Sequence, residues 1–170
     1  MLTLDKKTMR GIMKSLAVKR FEFCSEADFQ TALVEKVREK FPDAEIRVDC
    51  PAQLSNTSNA RIDIIVNLGG KLFPIELKYK LESQKRDTQS HLDMLNDIDR
   101  LENLQIANLD LNTLNFTVTP KTIQNRFAIW LSDNHRFWSE GGTNRIHEHE
   151  KYEISWEPYV GEFKFALICF

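Results

Sequence analysis

The feature that most constrains the fold is a pair of apolar runs, residues 61–67 and 72–80, joined by Leu68-Gly69-Gly70-Lys71. Gly-Gly supplies the positive φ angles that a two-residue hairpin turn requires. The flanking isoleucines and valines suit a pleated, half-buried surface. This stretch is therefore expected to be an antiparallel hairpin. With Gly69-Gly70 as the loop, Leu68 pairs with Lys71 and Asp63 falls opposite Glu76. Directly opposed residues have Cβ atoms about 4.5–5.5 Å apart. Pro74 carries no ladder donor, so it must sit near the strand start, at a bulge, or facing away from a partner.

Two carboxylates at that spacing repel one another. Ile62, Ile64, Val66, Ile75 and Leu77 flank them, so the strands should be largely buried, where ionised groups are costly unless paired or metal-bound. A divalent cation removes the repulsion and offers both acids a hard partner for oxygen. Lys78 lies two residues after Glu76, and strand side chains alternate faces, so all three side chains should share one face. Asp63 and Glu76 can hold Mg²⁺. Lys78 can position a water or stabilise charge on a phosphate. The competing reading is a structural ion pair of the acids with Lys78 or Arg61.

Around this hairpin the periodicity predicts helices over 5–19, 25–41 and 86–106. The first buries Met9, Ile12, Met13 and Leu16, and the second buries Phe29, Leu33 and Val37 with Ser25 as N-cap. The third places Leu92, Leu95, Ile98, Leu101 and Leu104 near one stripe. A strand is expected at 45–50, a polar loop over 51–60, irregular chain over 107–124 and a strand over 126–132. Two more apolar stretches lie near 151–157 and 162–169. The order is that of a mixed α/β domain with helices packed on a mixed central sheet. It is read as one domain over 1–170: a basic N-terminal helix (1–20), a core (25–132) and a C-terminal extension (133–170).

Arg61-Ile62-Asp63-Ile64-Ile65 followed by Glu76-Leu77-Lys78 resembles the D…(D/E)-x-K half-motif of the PD-(D/E)xK nuclease superfamily, which has a restriction-endonuclease-like fold. Ile62 stands where the motif name has proline, a position that varies in that superfamily. The resemblance covers roughly 25–132. It implies an α-β-β-β-α-β core, one or two Mg²⁺ ions and phosphodiester hydrolysis of DNA, as in restriction, defence or repair endonucleases. It also implies a third acid from the first core helix. Glu26, at the head of the Phe29/Leu33 stripe, is the candidate, with a first-turn acid favouring the helix dipole as the alternative. Gln30 could support the bound water or phosphate, or be a surface glutamine. Arg100 could support the site from the long helix, although Asp97, Asp99, Arg100 and Glu102 also read as a solvated face.

A net charge of −2 excludes a uniformly basic nucleic-acid binder and directs attention to local clusters. Lys6, Lys7, Arg10 and Lys14 could form a phosphate-facing arm or a solvated helix face. Lys80 could contact backbone phosphate or be a strand-end charge. The three cysteines lack metal-ligand spacing. His147-Glu148-His149-Glu150 lacks an evident third zinc ligand, and Trp138 could stack on a base or pack in the core. No apolar run reaches the length of a membrane span and no secretory signal is evident, so a cytoplasmic protein is expected. A homodimer through the first helix or the C-terminal strands is a further expectation. The rival function is a catalytically silent interaction module on the same fold.

Overall fold

The computed structural model describes residues 3–20, 22–54, 57–142 and 144–170. Helix α1 (Lys6–Lys19) starts where the Asp5 carboxylate accepts the Thr8 amide at 2.7 Å. Helix α2 (Glu26–Lys40) starts where the Ser25 hydroxyl accepts the Asp28 amide at 3.1 Å. These side chains satisfy amides that a helix N-terminus leaves without partners. Three strands follow, β1 (Glu45–Leu54), β2 (Thr57–Leu68) and β3 (Lys71–Lys80). Then come α3 (Asp87–Asn103), the short α4 (Leu111–Leu114), β4 (Thr122–Ile123) and β5 (Phe127–Ser132). The chain ends with β6 (Glu148–His149), β7 (Tyr152–Glu153), β8 (Trp156–Val160) and β9 (Phe163–Cys169).

The described residues form a mixed sheet in the order β1-β2-β3-β5-β9-β8, with β4 pairing beside β3. β3 runs parallel to β4 and β5, and its other pairing, with β2, is antiparallel. Leu68 pairs with Lys71 across Gly69-Gly70, the expected register. Gly69 and Gly70 have φ of 59° and 84°, which only glycine adopts freely. Pro74 pairs with Ile65 on β2. On its other side, pairing to β4 ends at Leu72 and pairing to β5 begins at Ile75. The missing N–H therefore falls in a gap of the ladder.

Two expectations are corrected. The loop over 51–60 is largely strand: β1 continues to Leu54 and β2 begins at Thr57, while residues 55 and 56 lie outside the description. Pairing with already ordered neighbours outweighs a polar, turn-rich composition here. The stripe of the third helix is also rotated. Met94, Asp97, Ile98 and Leu101 are buried, whereas Leu92 is 51% exposed.

The sheet is covered on both faces. Helices α1 and α2 bury Met9, Met13, Phe29 and Leu33 against Ile64, Ile75, Leu77 and Ile129. On the other face α3 packs Met94, Ile98 and Leu101 with Ala128, Trp130 and Ile168. Each fully buried side chain of this size contributes roughly 1.5–3 kcal/mol before ordering entropy is subtracted. The apolar stripe of α1 is thus covered within the chain. The stretch 133–170 adds β8 and β9 to the same sheet.

Candidate active site

The recorded pairing of β2 with β3 stops at Ile64 and Ile75, one residue short of Asp63 and Glu76. On the other side, pairing of β1 and β2 passes from Val48–Ile64 to Cys50–Ile62 and omits Asp49 and Asp63. Asp49 has φ 50°, a conformation that disrupts a ladder. Side chains take over the backbone groups freed at this point. The Glu76 carboxylate lies 3.4 Å from the Asp63 amide, and Gln30 donates its Nε2 to the Asp63 carbonyl at 2.7 Å. The Leu77 amide donates to Asp63 Oδ2 at 2.7 Å, and the Tyr79 amide donates to Glu26 Oε2 at 3.0 Å. Alternate amides of β3 are therefore capped by carboxylates from β2 and α2. The opened hairpin makes room for those acids.

Lys78 lies between them, its Nζ 3.8 Å from Glu26 Oε2. Helix α3 approaches from the opposite face. Arg100 donates to Glu76 Oε1 at 2.7 Å and lies 3.9 Å from Asp97 Oδ1. Glu76 is 1% exposed and Asp97 3%. Four carboxylates, Glu26, Asp63, Glu76 and Asp97, thus face two cations, Lys78 and Arg100.

The electrostatics follow from burial and this imbalance. Burial pushes the Glu76 carboxyl well above the usual carboxylate range; Asp63 and Asp97 add to the shift, and Arg100 opposes it. Burial also raises Glu26, against the pull of Lys78 and the Tyr79 amide. Asp97 is pushed up to about 7, by burial first and then by Asp63 and Glu26, with Lys78 and Arg100 opposing. Burial would lower Lys78, yet Asp97, Glu26, Asp63 and Asp93 together hold its pKa above that of a free lysine. Lys78 is therefore an ammonium at neutral pH, fit to stabilise negative charge and unfit to take a proton.

A raised acid keeps its proton longer in the folded state than in the unfolded chain. The resulting penalty is absent below the ordinary aspartate value of 3.8 and complete above about 7. Stability of the metal-free protein should accordingly fall across that window. The Asp97→Asn variant should gain on wild type by up to about 4 kcal/mol between pH 4 and pH 8. Urea unfolding in EDTA at both pH values checks this; a difference that is flat with pH contradicts it.

Most residues expected from the sequence converge. Asp63, Glu76, Lys78 and Glu26 meet at the hairpin mouth, and Gln30 and Arg100 bond directly to Asp63 and Glu76. The basic arm does not join them. Arg10 is tied to Glu157 on β8 at 2.9 Å, and α1 contacts α2, β8 and β9. In the sheet order β8 lies three strands from β3, about 14 Å at the usual spacing. Lys6, Lys7 and Lys14 are exposed on that helix, open to solvent and to a phosphate alike. Lys80 is also corrected: it is 6% exposed and donates to the Lys85 carbonyl, so it is not presented to a phosphate. Arg61 donates to the Asp49 carbonyl rather than to the acids. Trp138 packs 5.2 Å from Trp156, and His149 binds Asp99 at 2.8 Å. Asp97 was legible only as a surface charge. Its signal was position: it stands three after Met94 and four before Leu101, on the buried stripe.

Fit to a divalent cation rests on the donor set. Among the described residues no three His, Cys, Asp or Glu side chains are grouped closely enough to hold a metal in this conformation. The acids nevertheless outnumber their counter-charges, and Asp97 Oδ2 is buried without a hydrogen-bond partner. Hard, anionic and under-neutralised oxygens are the chemistry that Mg²⁺ or Mn²⁺ takes. The residues present fit such an ion. Comparison with family models, with curated proteins and with solved structures finds no match.

Proposed function

We propose that this protein is a Mg²⁺- or Mn²⁺-dependent nuclease of the PD-(D/E)xK kind that hydrolyses phosphodiester bonds of DNA. The observation that carries the reading is the hairpin mouth, where the β2–β3 ladder ends at Ile64–Ile75 and the Asp63 and Glu76 carboxylates take up the freed backbone amides beside Lys78. The succession α2-β1-β2-β3-α3, then β5, has the order of the restriction-endonuclease-like core.

Asp63 and Glu76 would hold the cation, with Glu26 completing the acid set from α2. The chemistry supplied by a bound Mg²⁺ is polarisation of a phosphoryl oxygen and acidification of a water. The remaining work falls to the chain. The Leu77 and Tyr79 amides fix Asp63 and Glu26, so their geometry is set before substrate arrives. Gln30 fixes the backbone of Asp63. In hydrolysis a water oxygen forms a bond to phosphorus while the bond to the leaving oxygen breaks, and negative charge grows on the phosphoryl oxygens. Lys78, held as an ammonium, donates to that charge or orients the entering water.

One observation favours a second reading. Arg100 already occupies Glu76 Oε1 at 2.7 Å, as a structural ion pair would in a silent interaction module. Calorimetric titration with Mn²⁺ and Mg²⁺ separates the two. The nuclease reading expects binding that Glu76→Gln and Asp63→Asn abolish, together with cleavage of linear, circular, single-stranded or branched DNA. No heat of metal binding and all four substrates left intact would establish the module instead.

A further inference from the structure

Among the described residues, Asp97 is the one acid of the cluster that no backbone amide holds and no guanidinium hydrogen-bonds. It is 3% exposed. Its Oδ2 is buried without a hydrogen-bond partner among the described residues. Its nearest recorded cation, Arg100, is 3.9 Å from Oδ1, beyond hydrogen-bond distance, and is committed to Glu76. A buried carboxylate left in this state is destabilising, and its place on the stripe would suit an apolar residue. It nonetheless borders the cluster: its Oδ1 lies 3.9 Å from the same Arg100 nitrogen that donates to Glu76, and its charge is felt by Lys78, Asp63 and Glu26.

Its mounting is packed into the core. Met94, Ile98 and Leu101 are each fully buried and seat α3 on the sheet on both sides of Asp97 along the helix. α3 covers one face of the sheet, and α2 with Glu26 covers the other. A cation at the hairpin mouth therefore meets acids from both faces. Asp97 also acts on Lys78, as the largest of the charges that hold the ammonium, but among the described residues the ammonium lies within 4 Å of Glu26 and not of Asp97, so Asp97 Oδ2 is left without a cation bonded to it. We infer that Asp97 is a fourth cation-directed carboxylate of this site, presenting Oδ2 to a divalent ion shared with Asp63. The inference rests on the nuclease reading above and deepens it by assigning a ligand from α3.

Mn²⁺ is the probe, titrated calorimetrically into wild type, Asp63→Asn and Asp97→Asn, with the Mn²⁺-induced rise in Tm as an independent readout. Asp97→Asn is expected to weaken Mn²⁺ affinity by roughly tenfold or more and to shrink the rise in Tm. Asp97→Ser, checked for folding by circular dichroism, serves as the second variant should the asparagine amide disturb packing. Affinity within twofold of wild type in either folded variant, with Asp63→Asn inactive in binding, overturns the role of Asp97 and leaves the nuclease reading standing. Absence of Mn²⁺ binding by wild type overturns both.

Discussion

Lys78→Ala is expected to lower the rate of DNA cleavage by about two to three orders of magnitude while Mn²⁺ binding is retained. The size follows from position. Lys78 lies 3.8 Å from Glu26 and shares a strand face with Glu76. Its charge is maintained by Asp97, Glu26, Asp63 and Asp93 against the cost of burial. A preorganised ammonium in a partly dehydrated site stabilises developing phosphoryl charge far more than an exposed one does. Removing it also relieves the metal-free protein of no carboxylate, so the cation remains welcome. Lys78→Arg should rescue little, because a planar fork does not fill the place of a compact ammonium. Gel assays with Mg²⁺ and Mn²⁺, run beside calorimetry, read both quantities. A variant that cuts within about threefold of wild type removes Lys78 from the chemistry.

Arg100→Leu should cost about 3–5 kcal/mol of folding stability in EDTA at pH 8, the penalty of leaving a buried charge without its partner. Glu76 is 1% exposed, and Arg100 is its bonded counter-ion at 2.7 Å. The sign with pH follows from the raised carboxyl of Glu76. At acid pH Glu76 is protonated in the folded state and misses the arginine less. As pH rises through its elevated folded pKa, the carboxylate must ionise among Asp63 and Asp97 with no guanidinium beside it. The loss should therefore be larger at pH 8 than at pH 5. Mg²⁺ should recover part of it by supplying the missing positive charge, and adding Glu76→Gln should recover most of it. Urea denaturation of the two variants and wild type measures all of this. An Arg100→Leu protein as stable as wild type at pH 8 without metal contradicts the electrostatic picture of the site.

Both expectations meet at one physical feature, an excess of carboxylates at a place where the sheet stops pairing. Metal-free, the site is held by Arg100, Lys78, the Leu77 and Tyr79 amides and Gln30. With a divalent ion, the acids would exchange mutual repulsion for a shared partner. Apo stability and metal affinity are thereby opposed: replacing an acid with its amide should raise the first and lower the second. That opposition distinguishes a metal site from an ordinary buried ion pair, in which losing either partner only destabilises.

By itself the sequence determined the parts of this protein that depend on neighbours along the chain. Gly69-Gly70 set a two-residue turn, and a period of two then carried the register from Leu68–Lys71 toward Asp63 and Glu76 and put Lys78 on their face. Asp5 and Ser25 set where α1 and α2 begin, and the Met9–Leu16 and Phe29–Val37 stripes set the faces they bury. Tertiary structure decided what depends on elements distant in sequence. Residues 51–54 became strand because β2 was there to pair with. Asp97 became a buried acid and Arg100 the partner of Glu76 because α3 lies on the sheet rotated from the Leu92–Leu95 stripe, toward Met94 and Leu101. Arg10 of α1 was placed beside Glu157 of β8, away from the acids, by packing of the helix's apolar stripe. Local patterns fix which face of an element is apolar, but only the docking of elements fixes which charges meet, since energies between charges depend on separation and burial that no spacing along the chain records.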